Sequence, residues 1–250
     1  VNEALLRRTV PVVVNSYNQP TYLLRMVARL IAADFRDIWI VDQASTTPET
    51  HQALALLESS SRCRIYRLRE NAGPHWFFRS DLFRLVGSVF VYTDADLDFP
   101  HPFPPDFLSR LLVLTQRYKV GKAGCALDLS DADLFVERIS NFQGRDYTIA
   151  QWEERFWAQA VEPDVYPAIL DTTFALYNKA HFQVGDSFAR APFLQAVRVG
   201  GAWTAKHLPW YRDKRVPADE WAAYEASTKH SHWFNSAREA QPAPAQTEAL

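Results

Sequence analysis

Two carboxylates one residue apart, Asp94 and Asp96, end the apolar run Val89-Phe90-Val91-Tyr92-Thr93. If extended geometry continues through them, alternation sets both acids on one side of the chain. Close carboxylates repel and are costly to desolvate, so such a pair calls for a compensating cation. Oxygen ligands suit Mg2+ or Mn2+, which can bridge a protein and a diphosphate. An acidic, solvated turn is the plainer reading of the same residues. Asp171 is an isolated acid among apolar and small residues, in Ile169-Leu170-Asp171-Thr172-Thr173-Phe174. A buried aspartate bonded to the backbone of Thr172 or Thr173 would read the same way. Glu153 and Glu154 stand between Trp152 and Trp157. Carboxylates there can bind sugar hydroxyls and indoles can face a sugar ring; a core-facing amphipathic helix is the simpler account.

These groups need elements to position them, and the first half supplies a regular alternation. Residues 10–14 read as a buried strand, and Pro20 opens a helix on which Leu23, Val27, Leu30 and Ile31 share one face. Residues 38–41 form a second strand, ending at Asp42, and residues 53–57 lie in a second helix. Residues 64–68, 76–86 and 89–92 follow as strand, helix and strand. This order predicts an α/β fold, a mostly parallel sheet with helices on both faces. Ligands in such sheets bind beyond the carboxyl ends of the strands. Asn15, Tyr17, Asp42, Asn71, Asp94 and Asp96 all fall there.

The second half is less regular. Residues 107–118, 149–158 and 218–229 read as helices, 123–127, 169–177 and 197–199 as strands, and 141–146 as a loop. The Pro/Ala/Gln-rich residues 241–250 read as a disordered tail. We expect a single domain over residues 1–240, with a ligand-binding half at about 1–100 and a second half at about 101–240.

Composition narrows the function class. Of 250 residues, 27 are Lys or Arg and 29 Asp or Glu, a net charge of −2 that gives no electrostatic reason to expect nucleic acid as a partner. Cys63 and Cys125 cannot build a disulfide framework, and neither has a His or Cys at metal-ligand spacing. A reducing, cytoplasmic compartment fits. No apolar run approaches the ~18 residues that span a bilayer, and no signal peptide is visible. Membrane attachment would then be peripheral, at the inner face of the cytoplasmic membrane, or supplied by sequence outside this chain. A start at Val1 rather than Met suggests a piece of a larger multidomain protein.

In order and spacing, four segments resemble the GT-A glycosyltransferases, in particular the family-2-like group, over roughly residues 8–212. They are Pro11-Val12-Val13-Val14-Asn15-Ser16-Tyr17-Asn18, Ile40-Val41-Asp42-Gln43-Ala44-Ser45, Arg69-Glu70-Asn71-Ala72-Gly73-Pro74 and the Asp94-Ala95-Asp96 turn. The resemblance implies a Rossmann-like GT-A domain with a less regular acceptor-binding part. It implies that Tyr17 stacks on a nucleotide base and that Asp42 accepts from a ring N–H or ribose hydroxyl, where turn packing and a helix cap are the structural alternatives. Asn71 and Gly73 match the loop that approaches the nucleotide from the side, and Asn15 belongs to the first loop. Asp94 and Asp96 match the metal-binding turn, with Asp96 the better ligand and Asp94 partly serving the ribose. Family members often carry a late histidine ligand, which His207 fits by position, and Lys206 beside it can neutralise the departing diphosphate. Their base commonly lies where Asp171 does, with Glu153 and Glu154 as competitors.

The implied reaction moves a sugar from a nucleotide-diphosphate sugar, UDP-sugar first, to a glycan or glycolipid acceptor, with Mn2+ or Mg2+ and with inversion. Synthesis of a surface polysaccharide such as lipopolysaccharide is the expected setting. Three other readings stay open. One is a non-catalytic GT-A module that binds a glycan or protein. A phosphatase of the haloacid dehalogenase type would use Asp94 as nucleophile, although Leu97-Asp98 and four preceding βα units fit it poorly. A nucleotidyltransferase would need a Gly-rich loop after the first strand, which is lacking.

Overall fold

The computed structural model describes residues 2–182 and 195–230. Helix α1 (Glu3–Thr9) leads into β1 (Val12–Ser16), α2 (Pro20–Ala32), β2 (Ile38–Asp42), α3 (Pro48–Glu58) and β3 (Cys63–Arg67). After a 3-10 turn at Trp76–Arg79 come α4 (Asp81–Leu85), β4 (Val89–Asp94), β5 (Leu97–Asp98), α5 (Phe107–Tyr118) and β6 (Lys122–Cys125). The hairpin β7 (Ile139–Phe142) and β8 (Arg145–Thr148) runs into α6 (Ile149–Glu154). Then follow β9 (Val165–Ile169), β10 (Ala175–Asn178), β11 (Gln195–Val199), β12 (Lys206–His207) and α7 (Ala218–Ser227).

Eight strands make one sheet in the order β3-β2-β1-β4-β10-β6-β11-β9. Strands β10 and β9 run against their neighbours, and the other six point the same way. The sheet is therefore mostly parallel, as expected, and β4 pairing with β10 joins the two halves of the chain. Period-two alternation divides the side chains between two cores. Val12, Val14, Ile38, Ile40 and Val91 pack on one face with Leu23, Val27 and Leu30 of α2 and Leu108 and Leu111 of α5. Val13, Trp39, Val41, Phe90 and Tyr92 pack on the other with Phe77, Phe78, Tyr177 and Phe182. Burial on both faces explains why the first strands read as unbroken apolar runs.

Four elements differ from expectation. Residues 76–86 are not one helix, because Ser80 is extended (φ −91°, ψ 167°) and separates the 3-10 turn from α4. Phe77 and Phe78 of the 3-10 turn are both buried in the core on the α4 side of the sheet. Residues 169–177 are not one strand: the chain leaves the sheet after Ile169 and returns as β10. Residues 141–146 are a hairpin rather than a loop, closed by Gln143 (φ 53°) and Gly144 (φ 80°), two positive φ angles that suit a tight two-residue turn. Helix α1 has no buried residue and so gave no periodic signal; Asn2 caps it by accepting from Leu5 N–H at 3.1 Å. The tail at 241–250 lies outside the described residues.

Candidate active site

Strand register brings the first-half candidates together. Asn15 of β1 and Asp94 of β4 are paired across the sheet, so their side chains meet on the same face. Asn15 Nδ2 donates to Asp94 Oδ1 at 3.1 Å, and Asn15 Oδ1 accepts from Gln43 Nε2 at 2.9 Å. Gln43 Oε1 accepts in turn from Ala72 N–H at 3.1 Å. The second half closes the network from the far side: the Thr172 hydroxyl donates to Asp94 Oδ2, and Asp94 N–H donates to Thr172 O at 3.0 Å. Asp94 is thus held at both oxygens. Burial, then the charge of Asp96, raises its pKa to about 7, against the opposing hydrogen bonds from Thr172 and Asn15.

The loop after β3 is anchored at three points. Besides the Gln43 bond, the Tyr92 hydroxyl donates to Pro74 O, and His75 Nε2 lies 2.7 Å from Asp171 Oδ1. Gly73 takes a positive φ of 82°, and Asn71 Oδ1 accepts from its N–H at 3.1 Å. The chain beyond α7 lies over this loop: His230 Nε2 is 3.3 Å from Asn71 O. Tyr17 meets the same region, its hydroxyl donating to Ser227 O at 3.4 Å, and Asn18 Nδ2 donates to Ser227 Oγ at 3.0 Å. Asp42 is buried at the strand end, where both its oxygens accept from Ser45 N–H at 3.3 and 3.4 Å.

A two-stranded ribbon delivers the histidine. In β5 and β12 Leu97 stands opposite His207 and Asp98 opposite Lys206, and Leu208 N–H donates to Asp96 O at 3.0 Å. His207 Nε2 consequently lies 3.5 Å from Asp96 Oδ2. Burial works to lower the pKa of His207, but the carboxylates of Asp96, Asp94 and Glu153 outweigh it and the net shift is upward. Asp96 Oδ1 and His207 Nδ1 are both buried without a hydrogen-bond partner. Carboxylate oxygen and imidazole nitrogen are ordinary donors to a divalent ion, and it is Nε2 of His207 that faces the Asp96 carboxylate. Asp94 does not join them: among the described residues no three His, Cys, Asp or Glu side chains are grouped to hold a metal ion. The two oxygens of Asp94 accept from Asn15 and Thr172.

Asp171 sits on the turn between β9 and β10 with more than half its side chain exposed, so it is not the buried, backbone-bonded acid of the alternative reading. Its carbonyl accepts from Tyr177 OH at 3.2 Å and from Lys122 Nζ at 3.4 Å. Lys122 is itself fully buried, which lowers its pKa to about 7. Two of the remaining candidates have charged partners of their own. Glu153 forms a buried ion pair with Arg198, whose Nε also donates to Ile169 O at 2.8 Å. Lys206 is paired with Asp131 and lies 3.8 Å from Asp128, which explains its charge without a diphosphate. Glu154 is exposed, beyond the buried pair. Sequence reading missed Gln43, Thr172 and His75 as members of the site. Gln43 could have been found as the polar residue directly after the second strand; Thr172 and His75 needed the fold.

Carboxylates and amides gathered at the ends of parallel strands, with an acid–histidine corner beside them, define a GT-A glycosyltransferase. The model of glycosyl transferase family 2 matches residues 12–161, and the chain belongs to that family. No curated protein matches it. Among solved structures it is similar to a mannosyltransferase from Pyrobaculum calidifontis in complex with GDP-Man and Mn2+. That likeness has a TM-score of 0.51 and 19% identity, over 94% of this chain and 69% of that one. It is also similar to GalNAc-T7 with UDP, GalNAc and Mn2+, with a TM-score of 0.55 and 12% identity, over 91% of this chain and 56% of that one. At these identities the likeness speaks for the fold. No helix among the described residues is long and apolar enough to cross a membrane.

Proposed function

We propose that the chain transfers a sugar from a nucleotide-diphosphate donor, a UDP-sugar first, to a hydroxyl of a glycan or glycolipid acceptor. The observation that carries this reading is the Asp96–His207 corner, where a carboxylate and an imidazole lie 3.5 Å apart beside the strand-end site. Mn2+ or Mg2+ held there would offset the charge that grows on the leaving diphosphate. Donor phosphate oxygens and water would complete the coordination of such an ion. Tyr17, Asn71 and Gly73 line the nucleoside side, and Asn15 fixes Asp94 towards the ribose. Asp42 acts there chiefly by ordering its own turn.

Asp171 takes the proton of the acceptor hydroxyl as that oxygen attacks the anomeric carbon. His75 bonds one oxygen of Asp171, and the other would take the proton. Attack from the face opposite the diphosphate inverts the anomeric centre. The sheet that joins both halves supports a single catalytic domain over residues 1–240. Surface-polysaccharide synthesis at the cytoplasmic membrane face, through peripheral attachment, is the setting we infer.

Calorimetry with UDP-, GDP-, TDP- and CMP-sugars, each with and without Mn2+, tests this. UDP-sugar should bind best, at least tenfold more tightly with Mn2+, and Asp96→Asn should erase that difference. Failure of every sugar nucleotide to bind would sink the catalytic reading. Tight binding without hydrolysis or transfer to any glycan would instead favour a non-catalytic module.

A further inference from the structure

A groove of about 460 Å3 runs between α2 and the start of the β5 ribbon, apart from the strand-end loops. None of Tyr17, Asp42, Asn71 and Gly73 lines it, so its occupant is not the donor's nucleoside. Three guanidinium groups do line it, from Arg25, Arg29 and Arg215, against one carboxylate, Asp98. Arg25 and Arg29 are four residues apart on α2 and therefore share a face, an arrangement in which like charges repel. Asp98 is already taken, its Oδ2 lying 2.7 Å from Arg215 Nη1. Arg29 is steadied by the carbonyls of Phe99 and His101, which fix its position without neutralising it. Arg25 is exposed, and Glu220, an acid outside the groove on which its charge acts, bonds both the N–H and the hydroxyl of Thr21. The lining thus carries two more positive charges than negative ones. Met26 and Phe99 add an apolar floor.

The place of the groove gives it a role. Leu97 and Leu208, which line it, belong to the chain segments that carry Asp96 and His207, and Tyr22, which also lines it, lies close enough to feel the charge of Asp96. We propose that this groove binds the phosphate of a phosphorylated acceptor, with the apolar floor against the group that bears it. The assignment rests on reading the Asp96–His207 corner as the centre of transfer. Guanidinium forks match phosphate oxygens in pairs, and a doubly charged phosphate monoester balances the net charge of the lining. The phosphate belongs either to a free ester or to a lipid headgroup.

The experiment uses the full chain saturated with UDP and Mn2+, so that the donor site is filled, and titrates phenyl phosphate by calorimetry. Phenyl phosphate should bind alongside UDP, and Arg25→Glu should weaken it at least tenfold while UDP affinity stays within twofold. Arg215→Ala, a second exposed position, should weaken it severalfold. Equal affinity in wild type and Arg25→Glu, or complete displacement of phenyl phosphate by UDP, overturns the proposal. Sedimentation with phosphatidic acid vesicles against phosphatidylcholine vesicles separates the sources. Arg25-dependent capture by the acidic vesicles assigns a lipid headgroup, and phenyl phosphate binding without capture assigns a free ester. A chain that binds no nucleotide would remove the acceptor role but leave the phenyl phosphate result readable without UDP.

Discussion

The ends of β1, β2 and β4 and the ribbon corner beside them treat buried polar side chains in opposite ways. At the strand ends a chain of hydrogen bonds runs from Ala72 through Gln43 and Asn15 to Asp94 and Thr172, although Ser16 Oγ at the end of β1 is buried without a partner. At the corner, Asp96 Oδ1 and His207 Nδ1 answer nothing. A buried polar atom left unpaired forfeits about 1–3 kcal/mol, which a bound ligand would recover. On the function proposed above, the Gln43–Asn15–Asp94 network is scaffold for the donor site, and the corner is where a metal ion would be held. Asp171 is a third case: exposed, tethered by His75 at one oxygen, and positioned through its backbone by Tyr177 and Lys122.

Asp171→Asn should give the largest effect. An amide keeps the size of the side chain and its contact with His75 but cannot take the acceptor's proton. Loss of a general base lowers turnover by about 10^2–10^4-fold. Single-turnover transfer should fall in that range while the affinity for donor and Mn2+ stays within about twofold. Turnover within a factor of three of wild type would move the base to another residue and leave Asp171 as a loop anchor.

The contrast between the two regions also explains what the sequence disclosed. Asn15, Asp42 and Asp94 stand at the ends of their strands, so an apolar run and the polar residue closing it were enough to locate them, whereas Asn71 lies four residues beyond β3. The corner is assembled from two residues of β5 and two of β12, far apart in the chain, and so short a ribbon leaves no periodic signal. His207 was reached by position within the family resemblance, and the family match itself stops at residue 161. Asp171 was visible as an odd acid in an apolar run. The same run hid its turn, because residues on both sides of it have strand character. For Glu153 and Lys206 the sequence supplied charge without partners. Arg198 and Asp131, which account for those charges, lie 45 and 75 residues away.

Glu153→Gln tests whether that buried acid belongs to the scaffold. It leaves the Arg198 guanidinium, only 5% exposed, without its counter-charge, a change that typically costs about 3–5 kcal/mol. The bond to Ile169 O persists, so the lower end of the range is expected, read as a fall in unfolding free energy by denaturant titration. Assayed well below its melting temperature, the variant should keep transfer within a few-fold of wild type. Replacing both partners at once, as Glu153→Leu with Arg198→Met, should recover much of the stability, because the buried charge disappears with its partner. A well-folded Glu153→Gln protein with a hundredfold loss of turnover would make Glu153 part of the chemistry.

The smallest effect should come from Gln43→Leu, the sharpest probe of the scaffold itself. Leucine has similar bulk but neither accepts from Ala72 N–H nor donates to Asn15, so the loop after β3 and the Asn15–Asp94 pair are released from each other. Neither group is proposed to react, and the loss is one of positioning, roughly 1–2 kcal/mol for two hydrogen bonds. The donor KM should rise about tenfold with kcat changed less than threefold, and metal affinity should be unaltered because Asp96 and His207 stand outside the network. Gln43→Glu discriminates further: its carboxylate can still accept from Ala72 but cannot donate to Asn15, so it should restore the loop and leave Asp94 loosened. A fall in kcat equal to that of Asp171→Asn would mean that the strand-end network takes part in transfer, and the division between scaffold and reacting corner would fail.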